Sequence, residues 1–370
     1  MSRTWHRWIP AAAAPVVVGA VVLGGAFASS ASADQAPKTP QQVLELAASS
    51  TVDTFSGTIE QSSNLGLPDL SGLGGSAGAA GSGSDSSADG GELSSALELL
   101  TASHTVRVYA DGPTKARVQI LDDMAERDAI RNGDELWLYD SSEQTAVRST
   151  LPADASDSTE LPAEPQTPAE LATRFLDAVD PSTEVTVGDP VSVAGRSAYN
   201  LKLTPDSDDT LVASVEIAVD ADTGLPLSVT VHARGEKDPA FKVAFSSLSL
   251  DTPSADLFDF TPPAATDVTD KSLPSHDNAS DAPTDGGQAP DAAAHPEPTV
   301  TGSGWDTIVE LPASGDASSL TDSPMLTQAT TAVTGGRALQ TSLLSVLITD
   351  DGRVLAGAVP VESLQAAAAK

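Results

Sequence analysis

The sequence predicts a mainly β fold, a large antiparallel meander carrying a few short helices. Three observations predict it. Apolar and polar residues alternate in many short runs. Turn residues separate those runs. Two short stretches carry the end signals of helices instead.

The alternating runs come in order. Val106 and Val108 alternate with Arg107 and Tyr109, and Ala116, Val118 and Ile120 with Arg117 and Gln119. Leu136 and Leu138 flank Trp137, and Tyr199, Leu201 and Leu203 flank Asn200 and Lys202. The pattern continues through Val215, Ile217 and Val219, then Leu227, Val229 and Val231, then Phe241, Val243 and Phe245. A period of two gives each strand one apolar and one wet face. Asp111-Gly112-Pro113, Asn132-Gly133 and Asp222-Thr223-Gly224 supply turns too short for parallel crossovers. The alternation slips at Ser246-Ser247, which predicts a bulge there.

Thr39-Pro40-Gln41-Gln42 opens a helix with a capping residue, a proline at the first position and a capping-box glutamine. Thr167-Pro168-Ala169-Glu170 repeats the device, with Leu171, Phe175, Leu176 and Val179 along one face. Residues 66–91 are rich in Gly, Ser and Ala and read as a flexible insertion. Glu92–Leu100 reads as a short amphipathic helix, either a mobile flap or a helix docked on the core. These helices are the candidates for covering the sheet's apolar face, and they are few for so many strands. Part of that face is therefore expected to border a cavity.

Arg3 and Arg7, the uncharged run Ile9–Ala28, and Ala31-Ser32-Ala33 give the three-part layout of a secretory signal peptide, residues 1–33, with Asp34 as the first mature residue. The alternative is an uncleaved N-terminal anchor. The main β domain is expected over 34–266, an acidic disordered linker over 267–299, and a smaller module over 300–370. That module reads as a strand from Trp305 to Leu311, a hairpin of Leu339–Ile348 with Arg353–Pro360, and a helix from Val361 to Ala369, docking on the main sheet.

The chain has 370 residues, and its formal charge of −33 becomes −35 once the two arginines of residues 1–33 are removed. Such a surface repels nucleic acid and anionic lipid heads. There is no cysteine, which excludes disulfides, thiolate metal sites, cysteine nucleophiles and an acylated N-terminal cysteine. His104, His232, His276 and His295 are scattered and are read as solvated. Gly74-Gly75-Ser76-Ala77-Gly78 matches a nucleophile-elbow pattern but lies in low-complexity sequence. Asp220-Ala221-Asp222-Thr223-Gly224 begins like a calcium loop, lacks its later ligands, and reads as a hairpin turn. No catalytic residue, metal site or cofactor is expected, and the chain is read as a binding protein rather than an enzyme.

Several stretches carry a family likeness: Thr51–Gln61, Asn132–Asp140, Val193–Pro205, Val219–Ser228, Leu257–Pro263 and Asp350–Pro360. In this order they resemble the LolA/LolB-like outer-membrane lipoprotein carriers, in the form found in high-GC Gram-positive bacteria, which are related to the MucB/RseB N-terminal domains. The resemblance implies a curved antiparallel half-barrel with helices on its concave side, an apolar cavity for acyl chains, and an extracytoplasmic location. The implied partner is a lipid or an acylated lipoprotein. On this reading Val106, Val118, Ile120, Leu136, Leu138, Leu201, Leu203, Ile217, Val229, Val231, Val243 and Phe245 face the concave side. Some contact the helices and the rest are candidate ligand contacts. Two other readings stay open: a sensor that binds a membrane-protein partner, and a structural domain whose helices fill the half-barrel.

Overall fold

A computed structural model describes residues 36–66, 104–121, 125–151, 167–177, 182–272, 298–312 and 330–370. The predicted signal segment, the Gly/Ser insertion, the Glu92–Leu100 helix and most of the acidic linker lie outside these residues. Among the described helices none is long and apolar enough to cross a membrane.

Thirteen strands form one open sheet. Six lead it: β1 (Thr54–Ser63), β2 (His104–Asp111), β3 (Lys115–Leu121), β4 (Glu126–Asn132), β5 (Glu135–Asp140) and β6 (Thr145–Thr150). Helix α2 (Pro168–Asp177) intervenes. A second run follows: β7 (Thr183–Val187), β8 (Val191–Val193), β9 (Arg196–Pro205), β10 (Val212–Asp220), β11 (Pro226–Ala233) and β12 (Phe241–Ser249). The first run is a meander, and in the second β7 and β8 both pair with β9, which leads on through β10 and β11 to β12. Pairing of β1 with β12 joins the runs, and β13 (Asp267–Ser272) lies beside β6, giving the order β13-β6-β5-β4-β3-β2-β1-β12-β11-β10-β9-β7 with β8 also on β9. The sheet does not close, as a half-barrel requires.

The bulge sits where the alternation slips. Thr58 opposes Ser247 and Ile59 opposes Phe245, so Ser246 is the extra residue. Gly57 makes this possible: a Cβ there would lie 2.6 Å from the Ser247 carbonyl oxygen and 2.9 Å from the Phe245 ring.

Cross-strand neighbours share a face, so the pairing assigns sides to every strand. All twelve candidate residues fall on one face, the inner one. Val106 opposes Ile120, Ile217 opposes Leu201 and Val229, and Val229 opposes Val243. Helix α1 (Pro40–Ala48) begins with the predicted capping box, the Thr39 hydroxyl accepting from the Gln42 amide and the Gln42 side chain accepting from the Thr39 amide. Glu170 does the same for α2, accepting from the Thr167 amide at 2.7 Å. On the inner face α1 rests against β7 and β9, and α2 against β11 and β12. Val43, Leu171, Ala172 and Phe175 thereby join the core formed by Leu201, Ile217, Val229 and Phe245. The end of α1 also needs Gly224 at the β10–β11 turn. That residue has φ +76°, and a Cβ on it would meet the Leu46 carbonyl oxygen at 2.2 Å.

Two expectations are corrected here. The stretch expected to begin the linker forms a strand, β13 (Asp267–Ser272), which runs parallel to β6, the one parallel pair of this sheet among the described residues. It is held in place by the segment before it, which crosses the outer face of β3–β6. Phe260 packs on Trp137 and Tyr139, with ring centroids 5.4 and 5.5 Å apart. Phe258 is buried, and Arg117 donates to the Leu257 carbonyl at 3.1 Å.

The C-terminal module is also larger than two or three strands. Six strands pair in the order β14-β15-β19-β18-β17-β16. They are β14 (Thr299–Thr301), β15 (Ile308–Leu311), β16 (Thr331–Val333), β17 (Gly336–Gln340), β18 (Ser345–Thr349) and β19 (Val354–Gly357). Helix α3 (Val361–Ala368) covers them, and Leu347, Leu355 and Leu364 form a separate core. The expected strand over Leu339–Ile348 is broken between β17 and β18, because Leu343 turns away to join the main core. Trp305 lies in a short 3-10 turn rather than a strand. Its indole donates to Thr183 at 2.8 Å and stacks on Phe175, which anchors the module. The Ala358 carbonyl accepts from the Leu211 amide and the Thr210 hydroxyl, each at 2.8 Å.

Gly57→Ala should destabilise the protein by about 2 kcal/mol or more in urea unfolding, because the contact is with backbone and cannot relax cheaply. Gly188→Ala is the control: its nearest neighbour is the Asn200 amide nitrogen at 3.4 Å, and a change within about 0.5 kcal/mol is expected.

Candidate functional site

The helices divide the twelve inner-face residues. Leu201, Leu203, Ile217, Val229, Val231, Val243 and Phe245 lie on β9–β12, the half on which α1 and α2 rest, and all are fully buried. They are core. Val106, Val118, Ile120, Leu136 and Leu138 lie on β2–β5. Of these Val118 and Leu138 are only half-buried, while Val106, Ile120 and Leu136 are buried.

Val118 and Leu138 belong to one row across the sheet. Its members are Val108, Val118, Ala129, Leu138 and Val147, each directly opposite the next. Val147 is half-buried as well, and Phe55 shows the same partial burial on β1. Five strands at ~4.8 Å spacing make the row about 19 Å long. This is an apolar inner surface away from the main footprints of α1 and α2, and it is the candidate binding surface. The neighbouring row reads Ala110, Ala116, Arg131, Leu136 and Ser149. Arg131 is thus an inner-face cation beside the apolar row.

β4 carries that arginine, and the alternation of apolar residues does not reveal β4. Its sequence, Glu126-Arg127-Asp128-Ala129-Ile130-Arg131-Asn132, is mostly polar. The strand is nevertheless central, and Asp128, Ala129, Ile130 and Arg131 are all buried. The Asn132-Gly133 turn was its only sequence signal. His104 is a further correction: it is 5% exposed on β2, opposite Gln61, and is not a solvated histidine.

Two buried carboxylates serve the fold. Burial pushes the Asp220 carboxyl up, but hydrogen bonds from Arg196 and from the Thr223 amide and hydroxyl outweigh it, and the group is held below the usual carboxylate range. Arg196 grips both Asp220 oxygens. The Asp220–Gly224 segment is therefore a locked hairpin turn, as its sequence predicts. Burial pushes the Asp128 carboxyl above its ordinary value, against the pull of Arg117 at 2.6 Å. That pair lies on the outer face, beneath the strap of residues 251–266. Among the described residues no cluster of three potential metal ligands exists. A surface cleft of about 560 Å³ lies on the C-terminal module, lined by Leu347, Asp351, Arg353 and Gln365 among others. Its arginine is already engaged: Arg353 donates to Asp351, Glu310 and the Ala368 carbonyl.

No family model matches the chain, and no curated protein matches it. Solved structures do. The Pseudomonas aeruginosa MucB in its complex with MucA is 16% identical, with 88% of this chain and 96% of that one covered and a TM-score of 0.41. A LolA superfamily protein from Nitrosomonas europaea is 12% identical over 60% of this chain and 99% of its own, with a TM-score of 0.23. A DUF1329 family protein from Desulfovibrio piger is 14% identical over 60% of this chain and 95% of its own, also at 0.23. The likeness is to LolA-like proteins and to MucB.

The division of the inner face has a direct test. Val229→Asp places a charge under α2 with no water to solvate it, and should destabilise the protein by about 4 kcal/mol or more in urea unfolding. Leu138→Asp, on the half-buried row, should cost about 1 kcal/mol.

Proposed function

We propose that this chain is an extracytoplasmic binding protein that shelters the acyl chain of a lipid or lipidated protein, and that it is not an enzyme. The observation that supports the reading is the Val108–Val147 row. A sheet that buries its inner face against helices along β9–β12 leaves part of the same face half-buried along β3–β6. An apolar surface of that length suits an extended acyl chain. Hiding a chain of about sixteen carbons from water is worth roughly 12 kcal/mol, at about 0.8 kcal/mol per methylene. Unassisted transfer through water is correspondingly slow, and a sheltering surface answers that need. The N-terminal layout of Arg3, Arg7 and Ala31-Ser32-Ala33 supports export, and the acidic surface suits a protein that does not adhere to anionic membranes.

The test is a titration with a fluorescent fatty acid, paired with a thermal melt. The wild type should bind the probe. The double variant Val118→Asp/Leu138→Asp should lose at least tenfold in affinity while its melting temperature falls by only a few degrees. Full binding by that variant would place the ligand elsewhere. A wild type that binds no acyl probe would overturn the sheltering reading.

A further inference from the structure

Arg131 is 3% exposed on the inner face, yet its guanidinium is almost unpartnered. Its Nε donates to the Gly133 carbonyl oxygen at 3.1 Å, across the β4–β5 turn. Among the described residues no other acceptor reaches it, and no carboxylate stands within ion-pair distance. The other buried or half-buried arginines of the sheet are treated differently. Arg117 is paired with Asp128, and Arg196 with Asp220. Arg127 stands opposite Asp140, where burial pushes the carboxyl up and the Arg127 charge helps to hold it low.

A guanidinium has five donors, and burying its charge without a counter-ion is costly. This chain carries 52 acidic residues against 19 basic ones. A neighbouring carboxylate was readily available, and β4 itself carries two. Asp128 faces outward to Arg117, and Glu126 accepts from Gln119, also on the outer face. The inner side of β4 carries two cations, Arg127 and Arg131, and no anion; Arg127 stands opposite Asp140 of β5, whereas Arg131 stands opposite Ala116 and Leu136.

Position supplies the rest. Arg131 follows Ala129 by two residues on the same strand and face, about 7 Å away along the strand. Ala129 is the central member of the apolar row. A cation in need of an anion therefore stands beside an apolar track. We infer that Arg131 receives the anionic head of a bound amphiphile, a carboxylate or phosphate, whose chain lies on the Val108–Val147 row. This rests on the sheltering reading above and narrows it to acidic ligands. An arginine fork matches either oxyanion with two parallel hydrogen bonds. With the ligand bound the charge is paired; without it, the Gly133 carbonyl is its one hydrogen-bond acceptor among the described residues.

The test compares cis-parinaric acid with its methyl ester, which has the same chain and no charge. The purified wild-type protein should bind the acid at least tenfold more tightly than the ester. Arg131→Gln should lose that preference, keep its affinity for the ester, and melt no lower than the wild type because an unpaired buried charge has been removed. Arg131→Lys should restore part of the preference. Competition by inorganic phosphate and by lysophosphatidylglycerol distinguishes a site for a free anion from a site for a headgroup: only the lipid should displace the probe at micromolar concentration. Equal binding of acid and ester by the wild type, or a preference that survives Arg131→Gln, would overturn the inference and leave the sheltering reading standing. Failure of the wild type to bind either probe would remove both. Displacement by phosphate as effective as by the lipid would make Arg131 an inorganic anion site and overturn the assignment of a headgroup.

Discussion

The pairing of β1 with β12 is the constraint on which the rest of the molecule depends. β1 follows α1 directly, and β12 ends the second meander nearly two hundred residues later. Their contact turns two separate antiparallel ribbons into one sheet with a common inner face. Loop closure over that distance costs entropy that grows slowly with length, and the pairing must offset it. The bulge at Ser246 and the bare backbone of Gly57 let the strands approach while Phe245 fills the space beside them. Once β1 and β12 are joined, α1 and α2 have a single surface to cover, and what they leave uncovered is fixed by where their apolar residues end.

The outer face is stabilised by different means. Alternating strands usually turn their second face to water, but the β3–β6 half carries Ile130, Trp137 and Tyr139 outward. The Leu257–Pro263 strap covers them with Phe258 and Phe260 and then continues as β13. This half of the sheet thus gains rigidity from its outer side, and among the described helices α1 and α2 rest mainly on the other half. In β9–β12 the arrangement is reversed: helices cover the inner side, and Lys202, Glu216, Thr230 and Lys242 lie outside.

Much of this was legible in the sequence. The alternating strands, the three tight turns, the two capped helices and the bulge at Ser246-Ser247 all stand where local chemistry puts them, because each depends on residues close in the chain. All twelve apolar candidates share one face for the same reason. Their division into those packed under the helices and those half-buried, Val118 and Leu138, was not legible, since it depends on where α1 and α2 come to rest. β4 escaped because a strand buried on both faces can hold its charges in pairs across neighbouring strands, as Asp128 does with Arg117, and period-two alternation does not report that. β13 escaped because Asp267–Ser272 has few apolar residues. It is ordered by the aromatic strap preceding it and by six residues of pairing with β6. Arg131 follows from the same blind spot: an inward arginine on an unrecognised strand gives no pattern.

The central claim is that one sheet face is core over β9–β12 and binding surface over β2–β6. Hydrogen–deuterium exchange with and without a saturating fatty acid tests it most directly. Amides of β9–β12 should be slow in both states, because α1 and α2 already seal them. Added ligand should slow exchange in β3–β6, most strongly in residues 116–120 and 129–138. Protection confined to β9–β12, or no ligand-dependent change anywhere in the sheet, would contradict the account.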